Sequence, residues 1–364
     1  MNILIIGNGF DLAHGFPTSY KDFLDFITAF KKFKEYKINR EIHIDNNIFS
    51  SYLDNLYTEK RTLFDELSNL IENNSWIKHF EQTSIKNQWV DFEKEISEVI
   101  QIFDKIRKLT EKRNLTDGPL GDISNHEKRK LDAFEYDIVQ IMSEGISDNR
   151  KKLLYDLNRL THCLEIYLSD YVENKSVDFL LPDIQALQVD HVLSFNYTHT
   201  YEKIYQKAKN HKIEYDYIHG DTNVDHTLES CNLILGIDEY QKGYEKDLDN
   251  VFIEFKKFYQ RIYKRTGCKY IDWIGGINEH DQLMVPAIED PNNIYIFGHS
   301  LDITDGDILS KLINMPNTKI TIYYHDKEAL SKYIQNLVKI LGEDELISMV
   351  HGMNAKILFC KQQK

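Results

Sequence analysis

The chain has 364 residues, of which 42% are hydrophobic and 28% charged, proportions that are typical of a globular protein with a sizeable buried core. Its formal net charge of −14 argues against long-range attraction to nucleic acid or to an anionic membrane. No apolar run approaches the roughly 20 residues of a membrane span, and the first residues lack the basic region of a signal peptide, so we expect a cytoplasmic protein.

The first predicted element is a short strand. The run from Asn2 to Ile6 is dominated by β-branched residues and stops at Gly7, which is typical of a strand buried on both faces, as in a parallel sheet. A half-exposed strand does not need such a sequence. We therefore expect this strand to lie in the centre of the sheet.

A glycine-containing turn follows, formed by Gly7, Asn8, Gly9, Phe10 and Asp11. Glycines at a strand end let the backbone approach a pyrophosphate, and a following helix offers free N–H groups. The six-residue glycine pattern G-x-G-x-x-G is not completed, and a tight turn that needs positive φ is the alternative. The position after a buried strand favours nucleotide binding by residues 7–10, with Asp11 either on a ribose or as a helix N-cap.

Helical spacing then dominates from about Ile48 to Val172, and strand-like runs are nearly absent there. This pattern predicts an inserted helical subdomain. Within it we expect Trp89 and Phe92 to be core residues, and Glu93 is a candidate to reach a cleft.

Strands return in the last part of the chain, and helical patterns lie between several of them, which indicates an α/β fold with a doubly wound parallel sheet. The predicted strands are His191–Phe195, Tyr215–Ile218, Asn232–Gly236, Ile294–Gly298, Lys319–Tyr323 and Ala355–Phe359. We expect residues 1–47 and 173–364 to form the nucleotide-binding core and residues 48–172 to form the insertion.

Two of these strands end in residues that carry chemistry. Asn196 follows one strand, and His219 and Gly220 follow the next. Ligands of open α/β sheets bind outside the carboxyl ends of the strands, so both side chains are expected at the ligand-binding edge. Histidine can act as a general base near neutral pH. The alternatives are a capping asparagine and a structural histidine.

A third strand end carries Gly298, His299 and Ser300, with Asp302 and Asp305 after them. These groups could close over the adenosine or phosphate of a ligand, and capping of a following helix is the alternative. We therefore expect the ends of four strands to line one cleft.

The metal and nucleophile patterns are poor. The cysteines, Cys163, Cys231, Cys268 and Cys360, form no C-x-x-C pair and indicate reduced structural thiols. No H-x-x-x-H pair occurs in the sequence, so we expect no metal ion. The absence of a G-x-S-x-G elbow and of a Walker lysine excludes the usual α/β-hydrolase and P-loop classes.

The opening NILIIGNGFDLAHGFPTSYKDF resembles the N-terminal signature of the AbiH family of bacterial abortive-infection proteins. WVDFE at residues 89–93, SFNYTHTYEKIY, YIHGD and FGHSLDITDGDI are similar to further AbiH blocks. The blocks extend to about residue 308, which is most of the chain. The resemblance implies a role in antiviral defence, with an unknown phage trigger.

The same blocks also resemble the wider sirtuin-like superfamily, which has matching glycine loops, a strand that ends in Asn and a strand that ends in His-Gly. This resemblance implies a Rossmann-like, sirtuin-like core that binds NAD. It implies that Asn196 and His219 are catalytic residues that act on the nicotinamide ribose. It implies that the rest of the nucleotide binds to Gly7, Asn8, Gly9, Phe10, Gly298, His299 and Ser300. Asp11 and Asp302 complete the expected binding set because of their positions after strand ends.

This chain also departs from the sirtuin-like pattern. Thr198 stands where an acidic residue is usual, and the four zinc cysteines of the deacetylases are missing. Protein deacylation is therefore disfavoured, and the expected reaction is hydrolysis of NAD to nicotinamide and ADP-ribose. A nucleotide-binding sensor without turnover is the alternative, and an effector that damages nucleic acid is a third. A dinucleotide is the expected partner, nucleic acid and membrane are not, and a homo-oligomer is an alternative to a monomer.

Overall fold

The computed structural model describes residues 1–39, 47–86, 91–112, 123–132, 134, 146–177, 179–206, 209, 211–241, 248–280, 291–353 and 355–363. The chain divides into two compact units. The first unit consists of Met1–Thr18, Val172–Thr222 and Lys264–Lys364, and the second of Ser19–Tyr171 and Asn223–Tyr263. The domain boundaries expected at residues 48 and 173 stay a prediction.

A six-stranded, all-parallel sheet forms the centre of the first unit in the described residues. Its strands are β1 Asn2–Ile6, β2 His191–Ser194, β3 Glu214–Tyr217, β4 Asn292–Phe297, β5 Thr318–Tyr324 and β6 Ile357–Lys361. The strand order is β3-β2-β1-β4-β5-β6, which is the order of a doubly wound Rossmann sheet. The predicted α/β class and the central position of β1 are confirmed.

The sequence of β1 explains its position. Ile3 and Ile5 belong to one hydrophobic cluster, whereas Leu4 and Ile6 belong to another. Side chains alternate between the two faces of a strand, so β1 is covered on both faces. Each of these side chains is at most 1% exposed, and full burial of an Ile or Leu side chain contributes about 1.5–3 kcal/mol.

Helices connect the strands of the first unit. They are α1 Asn8–Ala13, α9 Pro182–Gln185, α10 Thr200–Tyr205, α12 Tyr270–His280, α13 Gly306–Ile313, α14 Lys327–Leu341 and α15 Glu343–His351. A short 3-10 turn, Ile303–Asp305, precedes α13.

Between residues 48 and 172 the described part of the second unit is predominantly helical, as predicted, and it contains no strand. Its helices are α2 Tyr20–Asn39, α3 Ser50–Thr58, α4 Arg61–Ile71, α5 Ser75–Lys86, α6 Phe92–Lys112, α7 Asn125–Asp132, α8 Ile146–Ile166 and α11 Lys257–Lys264. None of the helices in the described ranges has the length and apolar content that a membrane crossing requires.

Aromatic stacking marks the core of the second unit. Phe92 is fully buried, and its ring stacks on Phe80 at 3.9 Å and on Tyr20 at 4.2 Å between centroids. The prediction that Phe92 is a core residue is confirmed, whereas Trp89 lies outside the described residues. The Glu93 carboxylate forms an ion pair with Lys257 at 2.7 Å.

The predicted strand at Asn232–Gly236 is wrong. Leu233, Ile234 and Leu235 are buried, at 0%, 0% and 1% exposed, but the sheet that the described residues form does not include them. Nearby, Ile237 forms a single bridge with Lys256. A short apolar run predicts that the segment is buried, but it does not predict that the segment pairs with another strand.

Candidate functional site

The carboxyl ends of β1, β2, β3 and β4 lie level with one another in the sheet. Ile6 pairs with Ser194 on one side and with Phe297 on the other, and Ser194 pairs with Tyr217. Because the four strands are parallel and end in register, the chain leaves all of them at the same edge. Asn196 and His219 each lie two residues beyond these paired residues.

Gly7, Gly9 and Gly298 pack two strand-end loops against each other. The N–H of Gly7 donates to Phe297 O at 3.2 Å, and that of Gly9 donates to Gly298 O at 2.8 Å. A Cβ on Gly7 would lie 2.7 Å from His299 Cα, and one on Gly9 would lie 2.8 Å from Gly298 Cα. Gly7 has φ −128°, so close backbone approach, rather than positive φ, explains this glycine.

The side chains of Asn8 and Phe10 lie in different environments, one exposed and the other buried. Phe10 is fully buried in the core, edge-on to Phe297 at 5.9 Å. Asn8 is exposed, and its Oδ1 accepts a hydrogen bond from Thr18 Oγ1 at 2.6 Å. The Phe10 ring is therefore a core group, and only its backbone takes part in the turn.

Asp11 is a buried carboxyl group with one hydrogen-bonded oxygen. It is 1% exposed, and its Oδ2 accepts from Thr198 Oγ1 at 2.5 Å. Burial raises the pKa of Asp11 to about 7, although hydrogen bonding to Thr198, Thr200 and Asn196 opposes the shift. Among the described residues, its Oδ1 has no hydrogen-bond partner. Groups with such shifted pKa values concentrate at functional sites.

Asn196 is also buried, at 5% exposed. Its Nδ2 donates to Gly7 O at 3.0 Å, which ties the end of β2 to the end of β1. Its Oδ1 finds no partner in the part of the chain that the structure describes. The amide orientation therefore leaves an acceptor available at the sheet edge.

Asp305 lies between two buried imidazoles. Its Oδ1 is 3.3 Å from His219 Nε2, and its Oδ2 is 3.5 Å from His299 Nε2. The Phe195 ring lies 5.6 Å from the His219 ring and 4.2 Å from the His299 ring. His219 Nδ1 has no hydrogen-bond partner within the described ranges, whereas His299 Nδ1 accepts from Leu301 N at 2.9 Å.

Ser300 and Asp302 have local roles at the same loop. Ser300 is exposed, and its carbonyl accepts from Asn336 Nδ2 at 3.1 Å. Asp302 accepts from Thr304 N at 3.2 Å and caps the 3-10 turn. The structure thus links Gly7, Asn196 and His299 directly, and it leaves Ser300 at the surface.

A second polar cluster at this edge was missed in the sequence. Glu173 Oε1 accepts from the backbone N of His199 at 2.8 Å and from Thr222 Oγ1 at 2.8 Å, and it lies 3.0 Å from His199 Nδ1. His199 Nε2 lies 3.2 Å from Asp221 Oδ2. Asp221 directly follows the His219-Gly220 pair, which was the available signal; the partnership with Glu173 has no local signal.

Charge pairing shifts the pKa values of this cluster. Burial alone would lower the pKa of His199, but Asp221 and Glu173 outweigh it and raise the pKa to about 9. Burial alone would raise the pKa of Glu173, but His199 and Lys203 lower it to about 2. His199 is therefore protonated at neutral pH and holds two carboxylates together.

We expect the stability of the first unit to fall as pH rises from 6.5 to about 9. The folded state keeps the His199 proton up to about pH 9, whereas the unfolded chain releases it near 6.5. The contribution is fully present below pH 6.5, and its loss amounts to about 3 kcal/mol. Urea unfolding across this range should show the slope in the wild type and in the exposed control His325→Gln. A His199→Gln variant with the same slope would contradict the assignment.

The fold and this edge define a doubly wound α/β protein with a buried polar site where four parallel strands end. The chain matches the family model described as "Bacteriophage abortive infection AbiH" over residues 3–325. It therefore belongs to the AbiH family and is an abortive-infection phage defence protein. No curated protein matches the chain.

Proposed function

We propose that the chain defends against phage by hydrolysing NAD to nicotinamide and ADP-ribose. The observation that carries the proposal is a set of three buried atoms without hydrogen-bond partners among the described residues: Asp11 Oδ1, Asn196 Oδ1 and His219 Nδ1. Buried polar atoms nearly always have partners, so these three suit a polar ligand. Each of the three residues follows a strand that ends at the same edge of the sheet, and open α/β sheets bind ligands at this edge. The sirtuin-like resemblance of Asn196 and His219 supports NAD as the ligand.

The reaction needs a water oriented toward C1 of the nicotinamide ribose. The water oxygen forms a bond to this carbon, the N-glycosidic bond breaks, and nicotinamide leaves with the bonding electron pair. Asn196 Oδ1 is suited to orient the water or a ribose hydroxyl. Asp305 faces Nε2 of His219, which favours a proton there and leaves Nδ1 as the basic nitrogen that takes the water proton.

Asp11 supplies the carboxylate that this reaction requires. The transition state of glycosidic cleavage carries developing positive charge on the ribose. Sirtuin-like proteins usually have an acid at the position of Thr198, and here Thr198 instead donates a hydrogen bond to Asp11. With a pKa of about 7, Asp11 is partly ionised at neutral pH and can stabilise that charge.

A nucleotide sensor without turnover is the second candidate. The feature that favours it is Thr198, a residue that cannot supply a carboxylate, at the position where sirtuin-like proteins usually have an acidic residue. A sensor would bind NAD and release it unchanged.

Incubation of the purified chain with NAD should release nicotinamide, and Asp11→Asn should lower the rate by roughly 10²–10³-fold.

The Asp11→Asn variant should also be more stable than the wild type at about pH 8. The folded pKa of Asp11 is raised from 3.8 to about 7, so stability falls as pH rises through this window, by on the order of 4 kcal/mol. Asparagine cannot ionise and removes that loss.

The matched control is Asp326→Asn, because Asp326 is an exposed helix cap on α14 and asparagine caps helices equally well. It should change neither the rate nor the stability. NAD that is bound but never cleaved would favour the sensor over the hydrolase. A loss of stability in Asp11→Asn at about pH 8 would contradict the buried, ionisable carboxylate.

A further inference from the structure

Three side chains of metal-ligand type meet inside the second unit. His162 and Glu165 lie one turn apart on α8 and share a helix face, and Cys231 comes from a segment far away in sequence. Their exposed fractions are 1%, 0% and 6%. One imidazole nitrogen, one carboxylate oxygen and the sulfur all lie within 4.8 Å of one another.

Hydrogen bonds connect this cluster without any ion. Glu165 Oε2 lies 3.0 Å from His162 Nδ1, and Glu165 Oε1 lies 2.6 Å from His226 Nδ1. Such a network is sufficient to satisfy a buried carboxylate. A metal site therefore needs support from the chemistry of the donors and from the groups behind them.

The group behind His162 provides that support. His162 Nε2, the nitrogen that faces away from Glu165, lies 3.0 Å from Glu66 Oε1. Metal-bound imidazoles usually donate their second N–H to a carboxylate, which fixes the ring and its tautomer. Glu66 occupies this place, and it leaves His162 Nδ1 as the nitrogen that faces Glu165.

We propose that His162, Glu165 and Cys231 bind a Zn²⁺ ion. Imidazole nitrogen, carboxylate oxygen and thiolate sulfur are the donors that zinc prefers in proteins. Tetrahedral zinc holds such donors roughly 3.4–3.8 Å apart, so the observed separations require only small side-chain adjustments. One thiolate and one carboxylate balance the charge of the ion. Binding releases two protons to solvent, one from the Cys231 thiol and one from His162 Nδ1, because both nitrogens of His162 face carboxylate oxygens and carry protons in the absence of the ion.

The cluster is suited to a site with three protein ligands and one open position, which water or an external ligand completes. His226 holds the second oxygen of Glu165 and orients the carboxylate. No disulfide involves Cys231 or the other cysteines, so the sulfur can coordinate. Binding also links Cys231 to α8, so zinc should raise the melting temperature of the second unit.

This inference departs from the expectation of no metal and is independent of NAD hydrolysis. The expectation rested on spacing within single elements. His162 and Glu165 are an i,i+3 pair on one helix, but their third partner lies on another segment. Only the fold brings the three side chains together.

Cobalt titration of the metal-stripped full-length chain tests the proposal. Co²⁺ should bind with a stoichiometry of one and give the near-ultraviolet absorption of thiolate-to-cobalt charge transfer, and Zn²⁺ should remove this absorption. Cys231→Ser should abolish it. Cys163→Ser is the matched control, because Cys163 is also a buried thiol of the second unit, and it should retain the absorption.

Glu66→Gln tests the positioning carboxylate separately, since it should weaken zinc binding roughly 10–100-fold. The neighbouring exposed Asp65→Asn should leave the affinity unchanged. A wild-type chain without the charge-transfer absorption would overturn the proposal whether or not any variant folds. Retention of the absorption in Cys231→Ser would overturn the assignment of the sulfur.

Discussion

Gly298→Ala is expected to destabilise the first unit by more than about 4 kcal/mol, enough to prevent its folding. Gly298 has φ +69°, a conformation that costs other residues about 1–3 kcal/mol. The added Cβ would also overlap the backbone nitrogen of Phe10 and lie 2.5 Å from the carbonyl carbon of Gly9. Both neighbours are main-chain atoms of the β1–α1 turn, so no side-chain rotation can relieve the overlap.

Gly15→Ala is the matched control for this prediction. Gly15 has φ +77°, but a Cβ there would meet no atom within 4 Å. Its substitution therefore isolates the conformational cost, about 1–3 kcal/mol as at Gly298. Soluble expression and urea unfolding followed by circular dichroism would compare the two variants. Equal stabilities would show that the loops can separate and that the close packing of Gly9 and Gly298 is dispensable.

The sheet could be predicted because its strands carry local signals. The apolar residues Ile3 to Ile6 of β1 predict burial on both faces, and a hydrophobic cluster indeed covers each face. The arrival of Asn196 and His219 at one edge follows from the parallel direction of the strands. Strand limits were accurate to within a few residues, since apolar runs end where the chain leaves the sheet.

The reasons for the glycines could not be predicted. The sequence offered pyrophosphate binding or positive φ at Gly7 and Gly9, whereas the structure shows backbone packing against Gly298. This contact joins residues that are far apart in sequence. Their mutual dependence has no signature in either segment alone.

Long-range partners also explain the other omissions. The hydrogen bond between Asp11 and Thr198 and the pairing of Glu173 with His199 each join separate segments. The buried run at Asn232–Gly236 gave a wrong strand because burial of a short apolar run does not require a partner strand. The sequence showed which residues carry titratable or polar groups, but it did not show which of them lie next to each other in the fold.

Asn196→Ala is expected to abolish NAD cleavage while the fold survives. The variant loses the hydrogen bond from Nδ2 to Gly7 O, which costs about 1 kcal/mol, and up to about 3 kcal/mol if the buried carbonyl stays unsatisfied. It also removes Oδ1, the acceptor assigned to the attacking water or the ribose.

His219→Ala should lower turnover by roughly 10²–10⁴-fold if His219 is the general base, and less if it only binds a ribose hydroxyl.

Nicotinamide release and circular dichroism should be measured on the same preparations, so that lost activity is separated from lost structure. The exposed histidine variant His325→Ala is the control for histidine removal, because that side chain is 63% exposed, and it should cleave NAD at the wild-type rate. Undiminished cleavage by a folded Asn196→Ala variant would assign the activity to other residues. Loss of cleavage in Asn196→Ala with unchanged NAD binding would instead place Asn196 in the chemical step, since a group that only binds the substrate would weaken the complex as well.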